Sequence, residues 1–144
     1  MKRFLLASLL FAFAEIFFFS CGKSGETFGK ARLVCGESET ETECRISPAG
    51  KLQVELESLC AFLNLDYETC HRCGHTEVEL GGDRIAVLWD APYIDYMNKS
   101  RRIKLGEKSV LHEGKVFVQP DFLEKCGFAK VTVSKKERTV SFEK

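Results

Sequence analysis

A strand–helix–hairpin pattern that occurs twice in the sequence is the feature that most restricts the folds open to this chain. The first copy covers about residues 50–80 and the second about residues 114–142. In each copy a Gly-Lys pair precedes a short alternating apolar stretch, and a helical stretch follows. Asn64 and Gly127 are expected to end these helical stretches because both tolerate the left-handed conformation. The pattern predicts an α+β fold, an antiparallel β-rich domain with two short helices, built from two copies of this unit.

The segments inside each copy have the periodicity of their predicted structure. Spacing of i, i+3, i+4 and i+7 gives the first helical stretch one buried face, formed by Leu56, Leu59, Cys60 and Leu63. Two alternating segments follow each helical stretch and predict a hairpin. The predicted arms are residues 65–69 and 77–80 in the first copy, and residues 130–133 and 139–142 in the second.

The second copy also carries the features of a known family. Residues 114–128 combine a Gly-Lys turn, a helix start and a Cys-Gly helix stop, and the hairpin at residues 131–142 closes the unit. This order, present in both copies, resembles the copper amine oxidase N-terminal-like domain, of which residues 48–144 look like a divergent member. The resemblance implies a non-catalytic stalk or accessory domain of bacterial envelope proteins. It implies no copper site, so no cofactor is expected.

The N-terminal residues have the composition of an export signal. Two basic residues precede an apolar run from Phe4 to Phe19, and a Ser-Cys-Gly sequence follows at positions 20–22. This ending resembles a bacterial lipobox, which implies a lipoprotein-type signal peptide over residues 1–20 and a lipid, including palmitate, on Cys21. An uncleaved anchor and simple secretion are the alternatives, because the run is only slightly shorter than a spanning helix. All three place the protein outside the cytoplasm, and the first anchors it in the bacterial cell envelope.

Residues 21–47 have the composition of a linker. Glutamate alternates with Ser or Thr from Glu37 to Glu43, and the mutual repulsion of these carboxylates favours a solvated chain. The sequence therefore predicts an acidic flexible tether over residues 21–47, ahead of a domain over residues 48–144. Phe28 and Ala31–Val34 are the exception, since they are compatible with a first edge strand.

Charge is divided unevenly along the chain. Over the whole sequence 21 Lys and Arg balance 21 Asp and Glu, which argues against a nucleic-acid-binding protein that works through bulk positive charge. Residues 21–98 hold 7 basic and 14 acidic side chains, whereas residues 99–144 hold 12 and 6. One basic group, either a solvated face or a contact for anionic polymer or lipid headgroups, consists of Lys99, Arg101, Arg102, Lys104 and Lys108.

Cys70, His71, Cys73 and His75 form the densest group of reactive side chains. The first interpretation is a disulfide that closes the hairpin tip, since an extracytoplasmic compartment oxidises thiols. The second is a Zn²⁺ or Cu⁺ site, with His112 as a candidate fourth ligand. A thiol-redox pair and two free thiols are the remaining interpretations.

The other cysteines after the leader offer further pairings. Cys35 and Cys44 bracket the Glu-rich stretch and are natural partners for a disulfide that would staple it. Cys60 and Cys126 each lie in a predicted helix, either as buried small apolar side chains or facing each other. No set of acid, base and nucleophile is visible in the sequence, so we do not expect an enzyme.

Together these features predict a non-catalytic, lipid-anchored envelope protein that acts as a structural or interaction module. Its expected partners are the membrane, through the lipid on Cys21, and a protein or cell-wall polymer, but no nucleic acid. The alternative hypothesis is a metal-binding or thiol-redox protein that works through Cys70, Cys73 and His75.

Replacing Cys21 by Ser tests the lipoprotein hypothesis. Cells that express the unchanged chain are expected to incorporate radioactive palmitate into it, and the Cys21→Ser chain should incorporate none because the lipid-bearing thiol is missing. Autoradiography of the immunoprecipitated protein measures the difference, and Cys35→Ser is a control that should keep the label. Palmitate on the Cys21→Ser chain would exclude the hypothesis.

Overall fold

Strands make up most of the chain between residues 25 and 144, the part that the computed structural model describes. The predicted signal peptide, residues 1–20, and the predicted lipid site at Cys21 lie outside these residues. In chain order the strands are β1 (Thr27–Cys35), β2 (Ser38–Ile46), β3 (Leu52–Glu55), β4 (Tyr67–Cys70), β5 (His75–Leu80), β6 (Asp83–Leu88), β7 (Tyr93–Tyr96), β8 (Arg102–Lys104), β9 (Val110–His112), β10 (Lys115–Val118), β11 (Lys130–Ser134) and β12 (Thr139–Glu143). The described helices are α1 (Leu56–Phe62) and α2 (Phe122–Lys125). Between residues 25 and 144, neither helix combines the length and apolar character needed to cross a bilayer.

The strands are arranged in two sheets. The seven-stranded sheet has the order β11-β12-β1-β2-β3-β10-β9, and the five-stranded sheet has the order β4-β5-β6-β7-β8. Neighbouring strands are antiparallel in both sheets except β1 and β12, which run parallel. This arrangement confirms the expected β-rich α+β fold with antiparallel sheets and two short helices.

The predicted flexible tether over residues 21–47 is wrong for the part that the structure describes, because residues 27–46 form the β1–β2 hairpin. The two strands pair with each other over their full length. Gly36, with φ of 61°, supplies a left-handed residue for the tight turn between them. β1 lies between β2 and β12, so it is an interior strand and not the edge strand with which Phe28 was compatible.

Glu and Thr alternate along β2 with a period of two residues, which is the side-chain period of a β-strand. The same alternation suggested a linker in the sequence. One face of β2 carries Glu39, Glu41 and Glu43, while Thr42 and Cys44 are buried on the other. The carboxylates have cations from other strands beside them: Arg32 Nη1 lies 3.3 Å from Glu39 Oε1, and Lys115 Nζ lies 2.8 Å from Glu43 Oε1. Cross-strand attraction therefore replaces the repulsion that the sequence of this segment predicts when it is considered alone.

One apolar core joins both sheets to both helices. Its fully buried members include Leu33 and Val140 from the seven-stranded sheet, Ile85 and Ile94 from the five-stranded sheet, Leu59 from α1, and Phe122 from α2. The predicted buried face of the first helix is confirmed, since Leu56, Leu59, Cys60 and Leu63 are all buried. Because β1 supplies part of this core, the folded unit begins well before residue 48.

The side chains and backbone conformations at the helix ends agree with the helix ends that the sequence predicts. The Glu55 carboxylate accepts a hydrogen bond from the backbone N–H of Ser58 at 2.6 Å, which caps α1. Asn64 (φ 54°) and Gly127 (φ 76°) adopt the left-handed conformation just beyond the two helices. The predicted helix stops are therefore confirmed.

The chain passes twice through a strand, a helix and a hairpin, as β3–α1–β4–β5 and as β10–α2–β11–β12. β3 and β10 pair antiparallel with Val54 opposite Val118. The hairpins lie in different sheets, since β4–β5 belongs to the five-stranded sheet and β11–β12 to the seven-stranded sheet. Each of the two sheets therefore contains one of the hairpins that follow a helix.

Truncating Leu33 tests whether the β1–β2 hairpin is part of the core. Because its side chain is fully buried, Leu33→Ala should lower the free energy of unfolding by about 2–5 kcal/mol. Arg32→Ala, on the opposite face with an exposed partner in Glu39, should cost less than about 1 kcal/mol. Urea denaturation measures both values. Equal, small losses would indicate a tether.

Candidate functional site

The turn between β4 and β5 is closed by a disulfide between Cys70 and Cys73, which confirms the first interpretation of this motif. We call residues 70–75 the stapled tip. Cys70 and His75 face each other as the last pair of the two strands, and the backbone N–H of Gly74 donates to the Cys70 carbonyl at 3.0 Å. Gly74 has a φ of 70°, a conformation that suits glycine. The loop is therefore held by a covalent bond and by its own backbone.

Trp89, just beyond β6, supports the stapled tip from the side. Its backbone N–H donates to the Gly74 carbonyl at 2.9 Å, and its indole Nε1 donates to Thr76 Oγ1 at 3.0 Å. The His71 ring meets the indole edge-on, with centroids 5.4 Å apart. The sequence does not indicate this support, because nothing in the spacing of residues links Trp89 to the Cys70 motif.

The outward side of the stapled tip is exposed and polar. His71, Arg72 and Cys73 are exposed, whereas Cys70 is half-buried. The backbone N–H of Cys73 donates to Cys70 Sγ at 3.1 Å. The tip therefore presents an imidazole and a guanidinium to solvent on a backbone of fixed shape, an arrangement suited to hydrogen bonds and ion pairs with a partner.

His75 is directed to a row of charged side chains on the five-stranded sheet. Its Nε2 lies 3.5 Å from Glu77 Oε2, and Arg84 Nε lies 3.0 Å from Glu77 Oε1. Arg84 also reaches Glu68, with 3.3 Å between Nη2 and Oε2. His75 is thus placed beside a carboxylate that already pairs with a guanidinium.

The structure does not assemble the predicted metal ligands. Cys70 and Cys73 are bonded to each other, so neither sulfur is a thiolate. His112, the candidate fourth ligand, ends β9 in the other sheet and stacks on Phe28 at a centroid distance of 4.1 Å. Among residues 25–144 no three or more His, Cys, Asp or Glu side chains are grouped so as to hold a metal ion.

The predicted disulfide between Cys35 and Cys44 is wrong, since the structure has both as free cysteines. In the β1–β2 register Cys44 lies opposite Gly29, which is six positions along β1 from Cys35. At about 3.3 Å per residue this places the two cysteines roughly 20 Å apart along the hairpin. A disulfide needs Cα atoms within about 7 Å, so the extended hairpin excludes this bond.

The environments of Cys44, Cys60 and Cys126 disfavour the thiolate form of their side chains. Burial raises the pKa of the Cys44, Cys60 and Cys126 thiols, that of Cys60 to about 12, with the Glu55 and Glu57 carboxylates adding to the rise at Cys60. The neighbouring Tyr96 side chain partly offsets the rise in pKa at Cys126. Cys60 and Cys126 are both free cysteines, so they do not bond to each other. Thiols with raised pKa values are poor nucleophiles and poor metal ligands.

Two of the five predicted basic residues, Lys99 and Arg102, form ion pairs with aspartates of the five-stranded sheet. Arg102 makes two hydrogen bonds to Asp95, at 2.6 and 2.9 Å, and these lower the pKa of the Asp95 carboxyl group. Lys99 Nζ lies 3.1 Å from Asp83 Oδ1 and 4.6 Å from the centre of the Tyr96 ring. Arg101 also stands over Tyr96, and the structure gives Lys104 and Lys108 exposed side chains. Within the group, Lys99 and Arg102 are therefore paired with carboxylates, whereas Arg101, Lys104 and Lys108 form no ion pair with an acid among residues 25–144.

An aromatic pocket of about 590 Å³ lies on the outer face of the seven-stranded sheet. The Phe28 ring contacts both His112 and Phe117, with its centroid 5.5 Å from that of Phe117. At the rim, the hydrogen bond from Lys115 lowers the pKa of the Glu43 carboxyl group. The sequence did not indicate this pocket because Phe28 belongs to the segment that resembled a tether.

Removing the disulfide of the stapled tip should lower stability by a modest amount. Closing so short a loop restricts the unfolded chain by about 2 kcal/mol, so Cys70→Ser/Cys73→Ser should lose up to about that much free energy of unfolding. Reductant should destabilise the unchanged protein and Cys35→Ser equally, and should leave the double variant unaffected. Urea denaturation with and without dithiothreitol measures this. A double variant that still responds to reductant would reveal a further disulfide.

The stapled tip is therefore the site with the clearest built geometry among the described residues, because one disulfide, one tryptophan and two backbone hydrogen bonds define its shape. Its sulfurs are oxidised, and its exposed groups are an imidazole and a guanidinium. Such a surface is equipped for recognition. No protein-family model, no curated protein and no solved structure matches the chain.

Proposed function

We propose that this chain is a non-catalytic, lipid-anchored protein of the bacterial cell envelope that acts as an interaction module through its stapled tip. The observation that carries the proposal is the exposed His71 and Arg72 pair on a loop closed by the Cys70–Cys73 disulfide. The partner is a protein or a cell-wall polymer with carboxylate or phosphate groups, because a guanidinium binds such groups in two-point fashion.

Preorganisation is the physical reason why the stapled tip suits binding. A flexible loop loses conformational entropy when a partner fixes it, and that loss reduces affinity. Here the loop is fixed beforehand by the disulfide, by the Gly74–Cys70 hydrogen bond and by the Trp89–Gly74 hydrogen bond. The loop therefore loses its conformational entropy when the protein folds and not when a partner binds.

The location outside the cytoplasm is supported by two separate features. The leader ends in a Ser-Cys-Gly sequence at positions 20–22, and Cys21 is the proposed lipid site. The Cys70–Cys73 disulfide is the chemical state that an oxidising compartment maintains. Both features are expected of an exported domain that is held at a membrane by its N-terminus.

We also propose that residues 48–144 are a divergent copper amine oxidase N-terminal-like domain made of two copies, at about residues 50–80 and 114–142. The support is the matching geometry of corresponding residues. Gly50 and Gly114, which open the two units, have φ values of 82° and 78°. The two strands that follow, β3 and β10, are neighbours in one sheet. On this proposal the β1–β2 hairpin is an addition that extends the domain at its N-terminal side.

A thiol-redox role is the second candidate, and one observation favours it. Cys73 is exposed, and its backbone N–H donates to Cys70 Sγ at 3.1 Å. After reduction, such a hydrogen bond would favour the Cys70 thiolate, the form that attacks another disulfide. A metal-binding role would need the same reduction first, because bonded sulfurs are not available as ligands.

Two double variants of the stapled tip separate the candidates. His71→Ala/Arg72→Ala removes the exposed groups and keeps the disulfide, whereas Cys70→Ser/Cys73→Ser removes the disulfide and keeps the exposed groups. Full-length protein is immobilised, partners are captured from detergent-solubilised envelopes, and the bound fraction is quantified by mass spectrometry. An interaction module should lose at least about ten-fold in capture with the first variant, and only a few-fold with the second.

The matched control is Glu79→Gln, an exposed change at the far end of β5 that should leave capture unchanged. Urea denaturation confirms that each variant is folded. The opposite ranking, in which only the cysteine variant loses its partner or loses disulfide-reducing activity, would support the redox candidate and contradict the interaction module.

A further inference from the structure

A basic cleft of about 920 Å³ lies at one end of the seven-stranded sheet, away from the stapled tip in sequence and in sheet. It is lined by the start of β1, by the turn before β3 and by the turn between β11 and β12. Its charged lining consists of Lys30, Lys135, Lys136, Glu137 and Arg138. Four cations against one carboxylate make this the most one-sided charge group among the described pockets.

The turn that carries these cations is fixed to the sheet. The Arg138 carbonyl accepts a hydrogen bond from the backbone N–H of Arg32 in β1 at 2.8 Å. Arg138 Nη1 stands over Gly29, 2.6 Å from where a Cβ on that glycine would be, and Lys135 Nζ stands 2.9 Å from the corresponding point on Gly50. The glycines thus leave room for the side chains to fold across the sheet end.

Lys135 and Lys136 are the cations in this cleft that no carboxylate neutralises. Both are exposed, and neither forms an ion pair with an acid among residues 25–144. By contrast, Lys99 and Arg102 in the five-stranded sheet each have an aspartate partner. Two unneutralised lysines on a turn that is attached to the sheet attract an anionic surface.

The cleft is also where the chain enters the domain. Gly25 lies on its rim, and Glu26 is held in place because its carboxylate accepts a 2.8 Å hydrogen bond from the buried side chain of Arg45. Residues 22–24 separate Gly25 from Cys21, so at 3.8 Å per residue the two Cα atoms are at most about 15 Å apart. If Cys21 carries the lipid, the rim of the cleft lies within that distance of the headgroups.

We propose that the β11–β12 turn docks through Lys135 and Lys136 onto anionic phospholipid headgroups of the membrane that holds the lipid on Cys21. This inference rests on the proposed function for the anchor and adds a second contact that orients the domain. The chain length limits how far the cleft stands from the bilayer, and the electrostatic attraction extends about 8–10 Å at ordinary salt concentrations. A short anchor beside a basic turn therefore presents that turn to the membrane.

Amine footprinting of the full-length lipoprotein in vesicles tests the docking. Lysines are acetylated briefly, and the rate at each position is measured by mass spectrometry in vesicles of phosphatidylcholine, with or without about 30% phosphatidylglycerol. The rates at Lys135 and Lys136 should fall roughly five-fold in the anionic vesicles, and the rate at Lys104 on β8 should stay constant. Raising the salt to about 0.5 M should remove the protection.

A matched pair of variants makes the result specific. Lys30 lines the same cleft, so its protection in anionic vesicles should be lost in Lys135→Gln/Lys136→Gln and kept in Lys104→Gln/Lys108→Gln. Far-UV circular dichroism shows that both variants are folded. Equal protection of Lys30 in the two variants would overturn the proposal.

Further outcomes separate this proposal from the anchor on which it rests. A protein that fails to float with either type of vesicle contradicts the lipid anchor. A protein that floats with both, but whose Lys135 and Lys136 react equally in both, contradicts the docking alone. Protection by inorganic phosphate in neutral vesicles would assign the cleft to a free anion and would also overturn docking on lipid.

Discussion

The pairing of β1 with neighbours on both sides is the constraint on which the rest of the structure depends. β2 lies on one side of β1 and β12 on the other, so the N-terminal hairpin joins the last strand to β3 and β10. The hairpin also places Leu33 in the core beside Val140, its neighbour in the register. On its outer face the same strand brings Arg32 to Glu39. Without this strand the seven-stranded sheet would divide into two separate pieces.

Local features of the domain were predictable because they depend on neighbouring residues. The buried stripe of α1, the left-handed residues Asn64 and Gly127, and the hairpin at the C-terminus all follow from periodicity and backbone preference. The β1–β2 hairpin was missed because strand pairing brings cations to its carboxylates, Arg32 on β1 to Glu39 and Lys115 on the distant β10 to Glu43. Charge repulsion computed along a sequence cannot include cations that folding supplies.

The disulfide of the candidate site was predictable from the sequence, but the residues that pack around it were not. Two cysteines three positions apart at a hairpin tip permit a disulfide on geometry alone, and the structure has it. Trp89, which supports that tip, and the stacking of Phe28 on His112 both join residues far apart in sequence. The predicted disulfide between Cys35 and Cys44 is wrong because it assumed a loop where the chain forms an extended hairpin, as the predicted tether also did.

The parallel pairing of β1 with β12 has a consequence for the order in which the molecule can be completed. Arg32 and Thr139 are register partners although about 100 residues separate them in sequence, and such distant contacts form slowly because a long loop must close first. A chain that emerges N-terminus first has no partner for one edge of β1 until its final segment has appeared. An incomplete chain therefore lacks the strand that covers this edge of β1 and the Val140 side chain that packs beside Leu33 in the core.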